Sequence, residues 1–199
     1  MDSTIITDPF IFVADNILTP EKCTEIIDRF EQDRKHQHQG VTAGGVDISV
    51  KNSIDLMPDS NPKEWKDIEE LFHKKISLML DLYVTHLRNA GLLTSFNNSA
   101  VYLVPPNLES MMDTGYQIQR TSPGKGYIWH NDAASHRLLT FILYLNDVEE
   151  GWTQFYTGDQ VSPSLGRGVI FPATWTYYHQ GYPPKQTKYI MTGWLHEPH

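Results

Sequence analysis

The feature that most constrains this chain is a change of period near its middle. From about residue 100 onward the apolar residues gather in short β-branched or aromatic runs: YQIQR, RLLTFILYLN, TQFY, GVIFP and KYIMTGWL. Gly, Pro, Asn or Asp separates them, and runs of that length bounded by turn residues read as strands. No helical pattern alternates with them, which argues against a Rossmann arrangement, and neither GxGxxG nor a Walker A pattern is present. The spacing predicts a barrel-like or double-sheet β-core.

Before that point the period is helical. LTPEKCTEIIDRFEQD offers Thr19 as N-cap, Pro20 at the first helical position, and Cys23, Ile26, Ile27 and Phe30 on one stripe. A longer helix is capped by Asn61, begins at Pro62 and ends at Gly91. Its apolar stripe runs Trp65, Ile68, Phe72, Ile76, Met79, Tyr83 and Leu87. The expected class is α+β, with N-terminal helices packed on the outer face of one sheet. One domain would span 1–199, with helical support over 1–98 and a catalytic β-core over 99–199. Between the helices, residues 36–60 are polar and contain glycine, without strong periodicity. Such a stretch is either a functional lid or an ordinary surface excursion holding a short strand.

Composition narrows the function classes. The chain is 40% hydrophobic and 12% aromatic, enough for a sizeable core in one domain. Its formal charge of −8, with no Lys/Arg run, argues against a nucleic-acid partner. Cys23 is the single cysteine, so no internal disulfide exists, and its helical neighbours mark it as a small buried thiol. MDSTIITDPFIF has neither the basic segment nor the apolar length of a signal peptide. No run approaches the ~18 apolar residues of a membrane span. The expectation is a soluble cytoplasmic protein with no membrane partner.

The candidate chemistry starts at YIWHND, residues 127–132. Residues i and i+2 of a strand share a face, so His130 and Asp132 converge as two parts of a metal site. A third ligand must come from a distant strand. Of the nine histidines, His36 and His38 lie in the polar stretch, and His73 and His86 fall on the long helix. His196 and His199 are at the C-terminus, and all six read as surface or capping residues. His136 lies close to Asp132 in sequence. His179 stands apart, following the Gly-turn-strand unit GRGVIFPATWTYY and preceding the turn into the last strand. Two imidazoles and one carboxylate leave positions open, as in non-haem Fe(II) oxygenases, whereas a structural zinc site would be closed and usually uses Cys.

In order, SPGKGYIWHND, RLLTFILYLNDVEEGWTQF, GRGVIFP and YYHQGYPPKQTKYIMTGW resemble the 2-oxoglutarate- and Fe(II)-dependent dioxygenases, in particular their prolyl 4-hydroxylase-like branch. DPFIFVADNILTPEKCTEII also resembles the opening strand and helix of that branch. The resemblance implies a double-stranded β-helix, or jelly-roll, and makes His130, Asp132 and His179 the iron ligands. Lys188 would pair with the distal carboxylate of 2-oxoglutarate, and physics agrees, because a buried ammonium needs an anion. Lys185, in the PPKQ turn, would face water. Tyr144 matches a family tyrosine that reaches the same carboxylate. Thr121 stands where relatives often have a tyrosine, a hydroxyl with shorter reach. Trp152 replaces the second glycine of a common Gly-Gly, implying a bulkier rim.

Tyr127, Trp129, Trp152 and Arg137 are the candidates for substrate contact. With Trp175, Tyr177 and Tyr178, the aromatics among them would shape a dry pocket. The implied reaction uses Fe(II), 2-oxoglutarate and O2 to hydroxylate an unactivated C–H, releasing succinate and CO2. The branch implies a prolyl residue in a peptide or protein as substrate, with residues 36–60 folding over it. The alternatives are the same chemistry on a free amino acid, another side chain or a small metabolite. From other classes come a non-catalytic jelly-roll binding module and a zinc cupin-like isomerase. The complete His130, Asp132, His179 and Lys188 set argues against both.

Overall fold

The computed structural model describes residues 3–92, 112–134 and 136–196. The 98/99 boundary and His199 lie outside the described residues. In chain order the elements are β1 (Phe12–Ala14), α1 (Pro20–Gln32), β2 (His38–Gln39), β3 (Ile54–Leu56), α2 (Pro62–Asn89), β4 (Met112–Thr121) and β5 (Tyr127–His130). There follow β6 (Arg137–Tyr144), β7 (Thr153–Phe155), β8 (Gln160–Val161), β9 (Gly168–Pro172), β10 (His179–Gly181) and β11 (Lys188–His196).

The two helices form where the 3.6-residue pattern places them. Thr19 caps α1 by accepting the Lys22 N–H, and Cys23, Ile26 and Phe30 are buried on its inner face. Burial pushes the Cys23 thiol up to about 11, the behaviour of a packed and unreactive group. All seven residues of the predicted α2 stripe are buried. Asn61 occupies the N-cap position but does not cap. Its amide donates 2.9 Å to Asp33 at the end of α1, and the Trp65 indole N–H donates 2.8 Å to the same carboxylate oxygen. That carboxylate ties the two helices together. Gly91, at φ 72°, follows the last turn in the left-handed conformation a glycine adopts without strain.

Among the described residues the strands form two antiparallel sheets, ordered β1-β9-β6-β11-β4-β3-β2 and β5-β10-β7-β8. Alternation decides what each face of the larger sheet meets. Ile118, Leu139, Phe141, Leu143, Met191 and Leu195 join the α1 and α2 stripes in one buried cluster. Ile142, Tyr144, Val169 and Phe171 point the other way and pack with Phe155 and Val161 of the smaller sheet. Each fully buried side chain of this kind stabilises the fold by about 1.5–3 kcal/mol.

Residues 36–60 are threaded into this frame, with β2 and β3 extending the larger sheet beyond β4. Strands of two and three residues are too short to leave a periodic signature, which is why the sequence reads there as polar chain. Among the described residues no helix is long and apolar enough to cross a membrane.

Candidate metal centre and its cavity

His130 ends β5 and His179 begins β10. The two strands are antiparallel neighbours, with these two residues directly opposite each other. Their rings lie 4.3 Å apart between centroids. Asp132 sits in the loop just past β5 and turns its carboxylate between the imidazoles. Oδ1 lies 3.8 Å from His130 Nε2, and Oδ2 lies 3.7 Å from His179 Nε2. The three donor atoms fall within 4.8 Å of one another, and among the described residues this is the cluster with the composition and spacing to hold a metal ion.

The surroundings fix how each group presents itself. His130 Nδ1 is 2.8 Å from the Ile128 carbonyl and His179 Nδ1 is 2.9 Å from the Tyr177 carbonyl. A carbonyl can only accept, so each Nδ1 carries the proton and each Nε2 directs a lone pair at the shared centre, the tautomer a metal ligand needs. Thr140, on the inner face of β6, donates 2.7 Å to Asp132 Oδ2. Burial pushes the His130 imidazole down to about 4, and the neighbouring His179 adds to the shift. Burial alone would raise the Asp132 carboxyl, but His179, His130 and the Thr140 hydroxyl outweigh it and hold it below the usual range. A His130 imidazole that burial keeps neutral and an ionised Asp132 carboxylate are ready to ligate without first releasing protons.

This cluster opens into a cavity of about 590 Å3 walled by both sheets. Lys188, the first residue of β11, lines it. Its ammonium is buried and donates 2.7 Å to the Gly151 carbonyl. No carboxylate pairs with it among the described residues, and burial pushes it down to about 8. Thr121 faces it directly across the β4–β11 pair and also lines the cavity. Tyr144 is placed differently from the expectation. Its hydroxyl lies 2.6 Å from Thr153 Oγ1 inside the inter-sheet core, and Thr153 rather than Tyr144 forms the wall.

The substrate candidates divide. Tyr127 lines the cavity and stacks on His130, centroids 3.5 Å apart and planes within 12°. Arg137 lines it too, with its guanidinium 3.5 Å over the Trp194 ring and its buried Nε without a hydrogen-bond partner. Trp129 does not reach the cavity. It stacks on Tyr178 and meets Tyr156 edge-on, both at 5.9 Å, as alternation along β5 dictates. Trp152 turns away as well: its indole N–H donates to Ser3 and its ring packs on Tyr182 at 4.8 Å.

Of the other expected pocket aromatics, Trp175 and Tyr178 are exposed, and Tyr177 packs against the inter-sheet core. His136 is exposed and outside the cavity wall. Lys185 is exposed and pairs with Glu149 and Glu150, in agreement with its assignment to the solvent side.

Among the wall residues that escaped the sequence reading, three stand out. Thr140 was visible in principle, as a small polar residue among the apolar ones of RLLTFILY. Trp194 lies on the cavity side of β11, where a strand flanked by apolar residues on both faces hides the distinction. Lys51 comes from the 36–60 stretch, where no pattern points to it.

Residues 116–196 match the sequence profile of the 2OG-Fe(II) oxygenase superfamily. No curated protein sequence matches the chain significantly. Solved structures share its architecture. A prolyl hydroxylase from Trichoplax adhaerens, in complex with a hypoxia inducible factor oxygen degradation domain peptide fragment, aligns with TM-score 0.66 at 17% identity, covering 94% of this chain and 84% of that one. The viral collagen prolyl hydroxylase of Paramecium Bursaria Chlorella virus-1, as its 2OG complex, gives 0.62 at 18% identity over 96% and 97%. A Pseudomonas putida prolyl-4-hydroxylase gives 0.63 at 15% over 94% and 93%. At these identities the likeness establishes the fold, a jelly-roll of two antiparallel sheets. The family's metal is Fe(II), and its cosubstrates are 2-oxoglutarate and O2. Residues 116–196 therefore carry the sequence profile of the 2OG-Fe(II) oxygenase superfamily, on a fold shared with solved prolyl hydroxylases.

Proposed function

We propose that the protein is a 2-oxoglutarate-dependent dioxygenase that hydroxylates a prolyl residue in a peptide or protein. His130, Asp132 and His179 hold the iron, and the observation that carries the reading is Lys188. A buried ammonium with no carboxylate partner opens into the same cavity as the triad. Leaving it unpaired is expensive, and an anionic cosubstrate carboxylate relieves that cost. Bound iron, with 2-oxoglutarate and dioxygen, supplies the oxidising power that turns C–H into C–OH.

The chain's own residues do the rest. Lys188 and Thr121 receive the distal carboxylate, and Tyr144 acts behind them by fixing the Thr153 hydroxyl in the wall. The Nδ1–carbonyl bonds hold both rings with Nε2 aimed at the centre, and Thr140 holds the Asp132 carboxylate. Arg137, braced on Trp194, offers N–H donors to carbonyls of an extended peptide, and Tyr127 forms the wall beside it. The prolyl assignment rests on fold likeness to prolyl hydroxylases. The lone, buried Cys23 suits a reducing, cytoplasmic setting.

Anaerobic addition of Fe(II) and 2-oxoglutarate should give a weak visible charge-transfer band that His179→Ala removes; no band at saturating iron would sink the oxygenase reading. Succinate formation should follow addition of proline-containing peptides. Turnover with free proline alone would move the substrate to the amino-acid class.

A further inference from the structure

Lys51 and Asp55 form an ion pair of 2.6 Å in the protein interior, with side chains 5% and 2% exposed. The other Asp55 oxygen accepts the Ser53 hydroxyl at 2.7 Å. Replacing a buried ion pair by apolar residues is often neutral or stabilising, so fold stability alone gives no reason for this one. Its place in the topology gives another. Asp55 belongs to β3 and is opposite Gln119 of β4, in the larger sheet. Lys51 is the bridge partner of Tyr127 on β5, in the smaller sheet. Two backbone hydrogen bonds flank that bridge, Asn52 N–H to the Gly126 carbonyl at 2.9 Å and Ile128 N–H to the Val50 carbonyl at 3.0 Å. The Lys51 ammonium lies 5.7 Å from the centre of the Tyr127 ring, and that ring stacks on His130. Gly40 closes over the pair so tightly that a Cβ there would come within 2.5 Å of Ser53 Oγ and 3.0 Å of Lys51 Cε.

We propose that the Lys51–Asp55 pair is a clasp joining the two sheets at the cavity wall, which, through Tyr127, fixes the ring orientation of His130. Lys51 and Asp55 are positioning residues in this scheme, and it rests on the reading of His130 as a metal ligand. The segment between α1 and α2 thus acts as a fixed part of the metal centre's support. Without the clasp the chain retains its core, but Tyr127 loses the cation beside it and the imidazole gains freedom about its outer torsion.

The test is the double variant Lys51→Met with Asp55→Asn, which removes both charges at nearly constant shape. In the metal-free protein the imidazole resonances are recorded by NMR, with His130 assigned through His130→Gln. The stacked Tyr127 ring shields His130 in the parent, and the double variant should move its signal toward that of exposed histidines. Mn(II) affinity should fall about tenfold, the scale of losing an outer-shell support. Tyr127→Leu should reproduce both effects, and adding the double substitution to it should change nothing further. A folded double variant with an unmoved His130 signal and parental Mn(II) affinity would overturn the clasp. If that variant does not fold, Tyr127→Leu with parental Mn(II) affinity overturns it equally. Failure of the parent to bind Mn(II) would refute the metal reading itself, while the His130 signal still decides whether the clasp positions the ring.

Discussion

Strands β4, β6 and β11 each carry two surfaces of opposite character. One presents Ile118, Leu139, Phe141, Leu143, Met191 and Leu195 to the helices in an apolar layer. The other, one residue along, presents Gln119, Thr121, Thr140, Lys188 and Thr192 to the cavity. A period of two forces this separation, and a slip of one residue would exchange core and site. Stability is concentrated on one face and chemistry on the other, so substitutions should divide the same way.

The largest expected effect is on the helix side. Phe141→Ala should lower stability by about 3–5 kcal/mol in urea unfolding, because a ring packed against Tyr116 cannot be replaced by collapse of its neighbours. A loss under about 1 kcal/mol would break the assignment of that face as the principal core. Opposite it, His179→Ala should weaken Mn(II) or Fe(II) binding by more than about 100-fold, beyond what outer-shell changes cause. Retained affinity in calorimetric titration would displace the metal centre.

Lys188→Met should act on chemistry and stability in opposite directions. Loss of the ammonium should cost about 2–3 kcal/mol of 2-oxoglutarate binding, roughly 30- to 150-fold. Apo stability at neutral pH should rise, since a buried charge without an anion is removed. The pH dependence carries the same sign. The Lys188 pKa is lowered from 10.5 to about 8 by burial, so between those values the unfolded chain binds the proton that the folded one has released. Parent apo stability therefore gains a rising contribution from about pH 8 to 10.5, absent in the variant. Affinity for the cosubstrate dianion should fall above about pH 8 for the same reason. A flat binding profile across that range would break the assignment. Smallest is Trp152→Phe, which forfeits the Ser3 hydrogen bond at about 1 kcal/mol and should leave metal and 2-oxoglutarate affinities within about twofold.

Tyr127 and Trp129 show where sequence reading reached its limit. Simple alternation puts both on the side of β5 away from His130, and Trp129 obeys. Tyr127 does not, because its register with β10 shifts: His179 faces His130 but Gly181 faces Tyr127, three steps on one strand against two on the other. The extra residue in β5 is a bulge, which re-aims one side chain without any composition that announces it. The chain likewise gave notice of Lys188 but none of Lys51, since the latter depends on which strand the 36–60 stretch joins.

Local order was written in the chain. The two helices follow from a 3.6-residue apolar stripe with Pro at its start, the strands from short alternating runs, and the chemistry from two histidines and an aspartate in family order. Those are short-range properties, set by side-chain period and residue type. The pairing of β5 with β10 that sets His130 against His179, the Thr153 hydroxyl standing between Tyr144 and the cavity, and the Lys51–Asp55 contact between sheets came only with the tertiary structure. Each depends on strand register between residues far apart in sequence, which non-local packing selects and no local pattern encodes.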